Sequence, residues 1–170
     1  PSSSDYYFYG LANYSAAAKY ISAEYTATPV TPEQKQADDA TFQSYINNGK
    51  AAFDEVVSRL PESYLGYLWL ANLYSLVDFK TQETKGSAIQ GVAKPYFEKA
   101  VEVMLANNED GKRNKDIIGA YNYLASYYML KSENSKEDTK SAGEYYKKII
   151  EIDPANADAK KALDAMHIKY

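Results

Sequence analysis

The stretch YNYLASYYMLKSENSKEDTKSAGEYYKKIIEIDP, residues 121–154, decides the fold of this chain. Large and small apolar residues recur at helical spacing on both sides of a polar connection, and a proline ends the second half. A small residue lets two helix backbones approach while a large one fills the remaining gap, so the pattern predicts two helices folded back on each other. The residues that carry it are Tyr121, Leu124, Ala125, Tyr128, Ala142, Tyr146, Ile149 and Pro154.

This spacing resembles the tetratricopeptide repeat (TPR), a helix–turn–helix unit with a period of about 34 residues. Two further copies align with it by their small residues. The first helices align as Phe8, Leu11, Ala12 and Ser15, then Tyr67, Leu70, Ala71 and Tyr74, then Tyr121, Leu124, Ala125 and Tyr128. The second helices align as Gly49, Phe53, Val56 and Pro61, then Ala93, Phe97, Ala100 and Leu105, then Ala142, Tyr146, Ile149 and Pro154. The resemblance implies an all-α, right-handed α-solenoid of three TPR-like hairpins and a C-terminal capping helix.

We expect a single helical domain over residues 1–170, with repeats over about 5–61, 62–107 and 114–154 and a capping helix over about 156–168. All three repeats are longer than the standard unit. The extra residues fall in 26–39, 79–90 and 132–140, where we expect lengthened helices and loops. The sequences of residues 63–67 and 93–100 are similar to those of a bacterial TPR subgroup in which the repeats form the C-terminal part of a longer chain. We therefore expect this chain to be part of a longer protein.

Local signals place the individual helices. Periodicity predicts helices over 5–25, 62–78 and 117–131, the last one capped by Asn114 or Asp116. Thr31 before Pro32 predicts the start of a long helix that ends near Leu60. We expect a polar loop over 80–86, and then helices from about 91 to 106, from about 140 to 152, and from about 156 to 168.

Composition excludes several classes of function. The chain has a net charge of -4, whereas wrapping nucleic acid requires a clustered basic surface. Its lack of cysteine excludes disulfides and thiolate chemistry. No apolar run approaches the roughly 20 residues that span a bilayer. Both the bacterial cytoplasm and the periplasm stay open as compartments. Most of the 18 tyrosines are expected to pack between helices with a solvated hydroxyl, and the rest to line a recognition surface.

The sequence offers little for catalysis. Its single histidine, His167, lies near the end of the predicted capping helix and has no nucleophile beside it. The acidic pairs at 38–39, 109–110 and 137–138 lie in or beside predicted loops and helix starts, where acidic residues are common because they are solvated and interact favourably with the helix dipole. They also lack the spacing of a calcium-binding loop. We therefore expect no enzyme activity, no metal and no cofactor.

In the TPR family the first helices line a concave groove, and the register places nine residues there. They are Tyr9, Asn13, Ala16, Leu68, Asn72, Ser75, Asn122, Ser126 and Met129. An asparagine amide can donate to and accept from a peptide backbone, so we expect a scaffold that binds a peptide or helix of another protein. None of the nine is basic, which argues against a clamp for C-terminal carboxylates. The alternative is a structural module in which copies self-associate, and a weaker one is a small-molecule-binding or enzymatic accessory domain.

Overall fold

The structure is a computed structural model that describes residues 1–85, 89–108, 110–131 and 135–170, without the side chains of 23, 24 and 81–85. The described residues form α-helices and no strand. The helices are α1 (Ser3–Ala18), α2 (Ala23–Ala27), α3 (Pro32–Arg59), α4 (Tyr64–Lys85), α5 (Lys94–Ala106), α6 (Asn114–Leu130), α7 (Lys136–Ile152) and α8 (Ala157–Ala165). The expected all-α architecture is confirmed.

Packing follows chain order. The hairpins α1/α3, α4/α5 and α6/α7 are joined by contacts of α3 with α4 and of α5 with α6, and α8 packs on α7. One core cluster gathers side chains of α1, α3 and α4 around Phe53 and Leu73. A second cluster gathers side chains of α4 to α8 around Phe97 and Leu124. The result is a one-dimensional stack in which each hairpin is stabilised by its neighbours.

The prediction of one helix over residues 5–25 is wrong. A short 3₁₀ turn over Lys19–Ile21 follows α1, and Ser22 then adopts an extended backbone with φ -67° and ψ 150°. The Ser22 hydroxyl accepts a hydrogen bond from the backbone NH of Tyr25, which makes it the N-cap of a new helix, α2. A local cap therefore ends the periodic segment and redirects the chain toward α3.

The loop expected over residues 80–86 is also corrected, because α4 continues to Lys85. Gly86 lies outside the described residues. The Lys80 ammonium lies 2.9 Å from a carboxylate oxygen of Asp39 and 5.0 Å from the ring centroid of Phe42. Both partners belong to α3, which begins at Pro32 after the Thr31 N-cap as predicted. The first two insertions therefore lengthen two helices that pack on each other.

Helix α7 begins at Lys136, four residues before the expected start. Ser135 and Asp138 form a capping box, in which the serine hydroxyl accepts from the Asp138 NH and the carboxylate accepts from the Ser135 NH. The expected cap of α6 is wrong as well. Asn114 is the first helical residue, and its side chain accepts from the amide of Asn108 instead.

The capping helix α8 ends at Ala165, short of the expected residue 168. His167 has φ 57°, and its NH donates to the Asp164 carbonyl while the Ile168 NH donates to the Leu163 carbonyl. These two bonds form the Schellman arrangement that satisfies the last carbonyls of a helix. The Ile168 side chain then covers Gly143, where an added Cβ would lie 2.4 Å from Ile168 Cδ1.

A recurring contact joins successive hairpins and accounts for four of the tyrosines. Lys50 pairs with Asp54 on α3 and interacts electrostatically with Tyr74 and Tyr96, whose ring centroids lie 4.9 Å apart. The hydrogen bond that the Lys50 ammonium donates to the Asp54 carboxylate raises the pKa of Lys50. The rings come from α4 and α5, so this contact fastens the first hairpin to the second.

The same contact recurs one repeat later. Lys94 pairs with Glu98 over 2.7 Å, and its ammonium lies 5.9 Å from the ring centroid of Tyr128, which stacks on Tyr145. Burial is the largest single influence on the pKa of Lys94 and acts to lower it, but the hydrogen bond to Glu98 and the Coulombic attraction of Glu98, Tyr128 and Tyr145 together outweigh burial, so the pKa is raised. At the corresponding place in α7 the residue is Gly143, covered by Ile168 rather than by a further pair of rings.

The register proposed for α1 needs correction by two residues. Gly10 faces α3, where an added Cβ would lie 2.4 Å from the Phe53 ring, whereas Ala12 is exposed. The positions that the sequence aligned with Ala12, Ala71 and Ala125, are fully buried. Gly10 therefore provides the close approach in the first hairpin that alanine provides in the other two.

Candidate functional site

Three of the nine predicted groove residues lie in the interior. Asn13 is 5% exposed because it belongs to the inward face of α1, and its amide donates to the Tyr9 carbonyl over 2.8 Å. Leu68 is part of the core cluster around Phe97. Ser75 is 8% exposed and donates to the Asn72 carbonyl over 2.7 Å. The two polar side chains donate hydrogen bonds to carbonyls of their own helices, and none of the three side chains is presented to a ligand.

The other six predicted residues are accessible to different degrees. Asn122 is exposed, and Asn72 is half-buried on the preceding first helix. Ser126 and Met129 are half-buried on α6, where the Ser126 hydroxyl also hydrogen-bonds the side chain of Tyr146. Tyr9 is 53% exposed, with Ala16 half-buried two turns further along α1. The accessible polar groups of this set are therefore concentrated on α4 and α6.

A buried carboxylate that sequence reasoning missed lies between the second and third hairpins. Asp78 of α4 has no exposed surface. Its Oδ1 accepts from the backbone NH of Gly91 over 2.7 Å and of Val92 over 3.1 Å, and its Oδ2 accepts from the Ala93 NH over 3.1 Å. The Tyr123 hydroxyl donates to Oδ2 over 2.5 Å. Four donors thus converge on one carboxylate.

This cluster acts as a long-range cap. Ala93 is the N-cap residue of α5 and has no side chain that could satisfy the free NH groups of the first turn, so Asp78 supplies the acceptor from another helix. Burial and then the hydrogen bond to Asp78 raise the pKa of Tyr123 far above its usual value. Since the carboxylate is enclosed and its oxygens are occupied, the geometry supports a structural role rather than catalysis. The sequence signal that could have indicated this contact is a single acidic residue, Asp78, within an otherwise largely apolar stretch of α4.

Two depressions lie beside the connection from α3 to α4, the first bordered by α1 and the second by Arg113 at the start of α6. An apolar hollow of about 180 Å³ is lined by Tyr7, Phe8, Val56, Leu60 and Leu65 together with three serines. A broader depression beside it contains two arginines that make intramolecular contacts. The Arg59 guanidinium lies 4.7 Å from the ring centroid of Tyr6, and that of Arg113 donates to the Asn107 carbonyl over 2.7 Å.

Neither metal chemistry nor a membrane span is evident in the part of the chain that the structure describes. No three acidic or histidine side chains there form a group that could hold a metal ion. No described helix combines the length and the apolar character that crossing a bilayer requires. His167 is exposed at the turn after α8, where it adopts the left-handed backbone conformation that ends the helix.

The outer face of α1 is an accessible surface of a different kind. Phe8 is 66% exposed and Tyr9 is 53% exposed, and small residues follow them along the helix. We call this surface the α1 stripe. It consists of Asp5, Phe8, Tyr9, Ala12, Ser15 and Ala16 of α1 and of Lys19, which follows α1 with a helical backbone, and all are exposed except the half-buried Ala16.

No protein-family model matches the chain, and no curated protein matches it. Its structure is similar to that of the C-terminal part of a TPR repeat-containing protein from Cytophaga hutchinsonii, with 29% sequence identity and a TM-score of 0.58. The match covers 92% of this chain and 56% of the other, so the chain spans little more than half the length of that structure. The chain therefore has a TPR-like fold, and the neighbour's bacterial source agrees with the bacterial resemblance of the sequence.

Proposed function

We propose that this chain binds an extended peptide of another protein along the accessible face of its first helices α4 and α6. TPR-like folds are in general protein-interaction scaffolds and are generally non-catalytic. The observation that carries the finer proposal is the pair Asn72 and Asn122, which offers amide groups on successive first helices. Each amide can donate to a peptide carbonyl and accept from a peptide NH.

The surroundings of this pair favour a neutral peptide. Ser126 and Met129 are the neighbouring accessible residues of α6, and neither carries a charge. A flexible methionine side chain adapts to varied apolar partners, while the serine adds a further polar contact. A strongly acidic or basic ligand would find no complementary charge among these four residues.

The experiment compares two double variants against peptides selected from a random display library on the intact chain. Asn72→Ala with Asn122→Ala removes both proposed reading groups. Asn47→Ala with Asn48→Ala removes two exposed amides from α3, a second helix, and serves as the matched control. Because each lost hydrogen bond costs about 1 kcal/mol, we expect affinity to fall about tenfold or more in the first variant only.

Circular dichroism and a thermal melt verify that both double variants are folded. Equal affinities for the two variants would refute the assigned surface. A library that yields no binder to the intact chain would refute peptide binding itself.

A further inference from the structure

The α1 stripe has the geometry of a helix–helix interface. Successive residues of an α-helix are rotated by about 100°, so all seven members lie within about 60° of Ala12 around the helix axis. The buried residues of α1, Gly10, Asn13 and Ala17, lie about 100–160° away on the opposite side. The stripe therefore faces away from α3 and α4, the helices on which α1 packs, except at its edge, where Phe8 also borders the apolar hollow shared with these helices.

The composition of the stripe is unusual for a solvated helix face. Between Asp5 and Lys19 it carries no charge, and it exposes two large rings, Phe8 and Tyr9, at its N-terminal half. Its C-terminal half consists of the small residues Ser15 and Ala16. Exposed aromatic side chains clustered on one face are typical of a protein interaction surface.

The stripe is complementary to itself. If a second α1 lies antiparallel with Ala12 opposite Ala12, residue i faces residue 24 − i. Phe8 then faces Ala16, and Tyr9 faces Ser15, so each large ring meets a small side chain. Asp5 faces Lys19 at both ends, which pairs opposite charges twice. In the part of the chain that the structure describes, Lys19 has no ion pair of its own.

We propose that the α1 stripe docks on the α1 stripe of a second copy of this chain, antiparallel and about a two-fold axis at Ala12. Such an isologous contact closes and yields a dimer rather than a fibre. The small residue at the crossing lets the two backbones approach, and the end charges set the direction and register of the pair.

The opposite end of the stack does not fit the stripe as well. The exposed side chains of α8 include Asp158, Lys161 and Asp164, so stacking it on α1 would place three charges against the apolar centre of the stripe. Head-to-head pairing through α1 places charges only at the two ends. The charge pattern therefore favours a two-fold dimer over a head-to-tail array of copies.

The test measures the mass of the intact chain by sedimentation equilibrium from micromolar to millimolar concentration. We expect a monomer–dimer equilibrium in the wild type and a monomer for Ala12→Arg. Asp5→Lys and Lys19→Asp each place like charges at both ends, so each should raise the dimer Kd about tenfold or more. The double variant Asp5→Lys/Lys19→Asp restores both pairs and should regain the wild-type Kd.

Mixing the two single variants provides the sharper result. An Asp5→Lys chain paired with a Lys19→Asp chain has opposite charges at both ends, so the mixture should form heterodimers more readily than either variant forms homodimers. Asp158→Lys, which makes the same change in the first turn of α8, is the matched control and should leave the Kd unchanged.

Asp5 also belongs to a capping box with Ser2, so its substitution can weaken the start of α1. Replacing Lys19 cannot restore a lost N-cap of α1. If dimer formation recovers in the double variant or in the mixture, the recovery therefore arises from the charge pairs. A wild type that stays monomeric at every concentration, or a dimer that neither Ala12→Arg nor the charge reversals affect, would overturn the proposal. Peptide binding at Asn72 and Asn122 would stand in either case, since that surface lies on other helices.

Discussion

The hydroxyl of Tyr123 donates to the carboxylate of Asp78 over 2.5 Å, across a sequence separation of 45 residues. Tyr123 belongs to α6 and Asp78 to α4, and the same carboxylate holds the backbone that leads into α5. One buried acid thus fastens the second hairpin internally and joins it to the third. A hydrogen bond to a buried carboxylate is among the stronger polar contacts of a fold, which makes this cluster the first place to test.

Tyr123→Phe should lower the free energy of unfolding by about 1–3 kcal/mol, because a buried carboxylate loses one of its donors. Urea denaturation followed by circular dichroism measures the loss. Tyr67→Phe removes the hydroxyl of a half-buried tyrosine on α4 and is the control, with an expected change below about 0.5 kcal/mol. Equal losses in the two variants would contradict the special role of the Asp78 contact.

Tyr123 should resist ionisation at alkaline pH. Its pKa is raised in the folded state, so its contribution to stability is fully present below the ordinary tyrosine value near 10 and is lost as the pH rises above it. An ultraviolet titration of phenolate absorbance should show a late step that accompanies unfolding and to which Tyr123 contributes. In Tyr123→Phe the amplitude of this late step should fall by one tyrosine. A late step of unchanged amplitude would assign it to another tyrosine.

Gly91→Ala should be strongly destabilising. Gly91 has φ 78°, and an added Cβ would lie 2.2 Å from the Tyr127 ring. The left-handed backbone and the overlap together should cost about 2 kcal/mol or more. Gly119→Ala is the matched control, because that glycine lies within α6 and an added Cβ would meet nothing within 4 Å beyond the adjacent backbone of its own helix. The control should raise stability by about 0.5–1 kcal/mol, and a similar gain in Gly91→Ala would contradict the structure.

Asp138→Asn should flatten the acid limb of the stability profile. The hydrogen bond from Lys131, followed by those from Ser135, lowers the pKa of Asp138 to about 2. Its stabilisation is therefore present above the unfolded value of about 4 and is lost as the pH falls from there toward about 2. Thermal melts across this range measure the slope. An acid limb of unchanged slope in Asp138→Asn would contradict this assignment.

His167→Gly should raise stability by about 1 kcal/mol, since glycine adopts a positive φ without the steric cost that a side chain pays. A thermal melt provides the measurement. Lys169→Gly is the control, because its backbone is not in the left-handed region. A decrease in stability for His167→Gly would show that the imidazole itself makes a stabilising contact.

Several helix boundaries could be predicted from local chemistry. Thr31 and Pro32 correctly predicted the start of α3, because N-capping depends on residues adjacent in sequence. Ser22 and Ser135 are N-caps of the same kind. Ser22 lies inside a periodic stretch that predicted one continuous helix, and Ser135 lies in a polar stretch that predicted a connection. The extension of α4 to Lys85 depends on contacts of Lys80 with α3, which no local pattern contains.

By itself, the sequence determined the all-α stack of hairpins, because the spacing of large and small residues within each helix pair is a local pattern. Only the tertiary structure decided which face of α1 is buried. That helix carries apolar or aromatic residues on nearly all sides, so its periodicity is a weak guide to the register, and the sequence alignment chose Ala12. In the structure it is Gly10 that lies against the Phe53 ring. The cap formed by Asp78 and Tyr123 was likewise decided by folding, since its partners are distant in sequence and meet only when three helices pack.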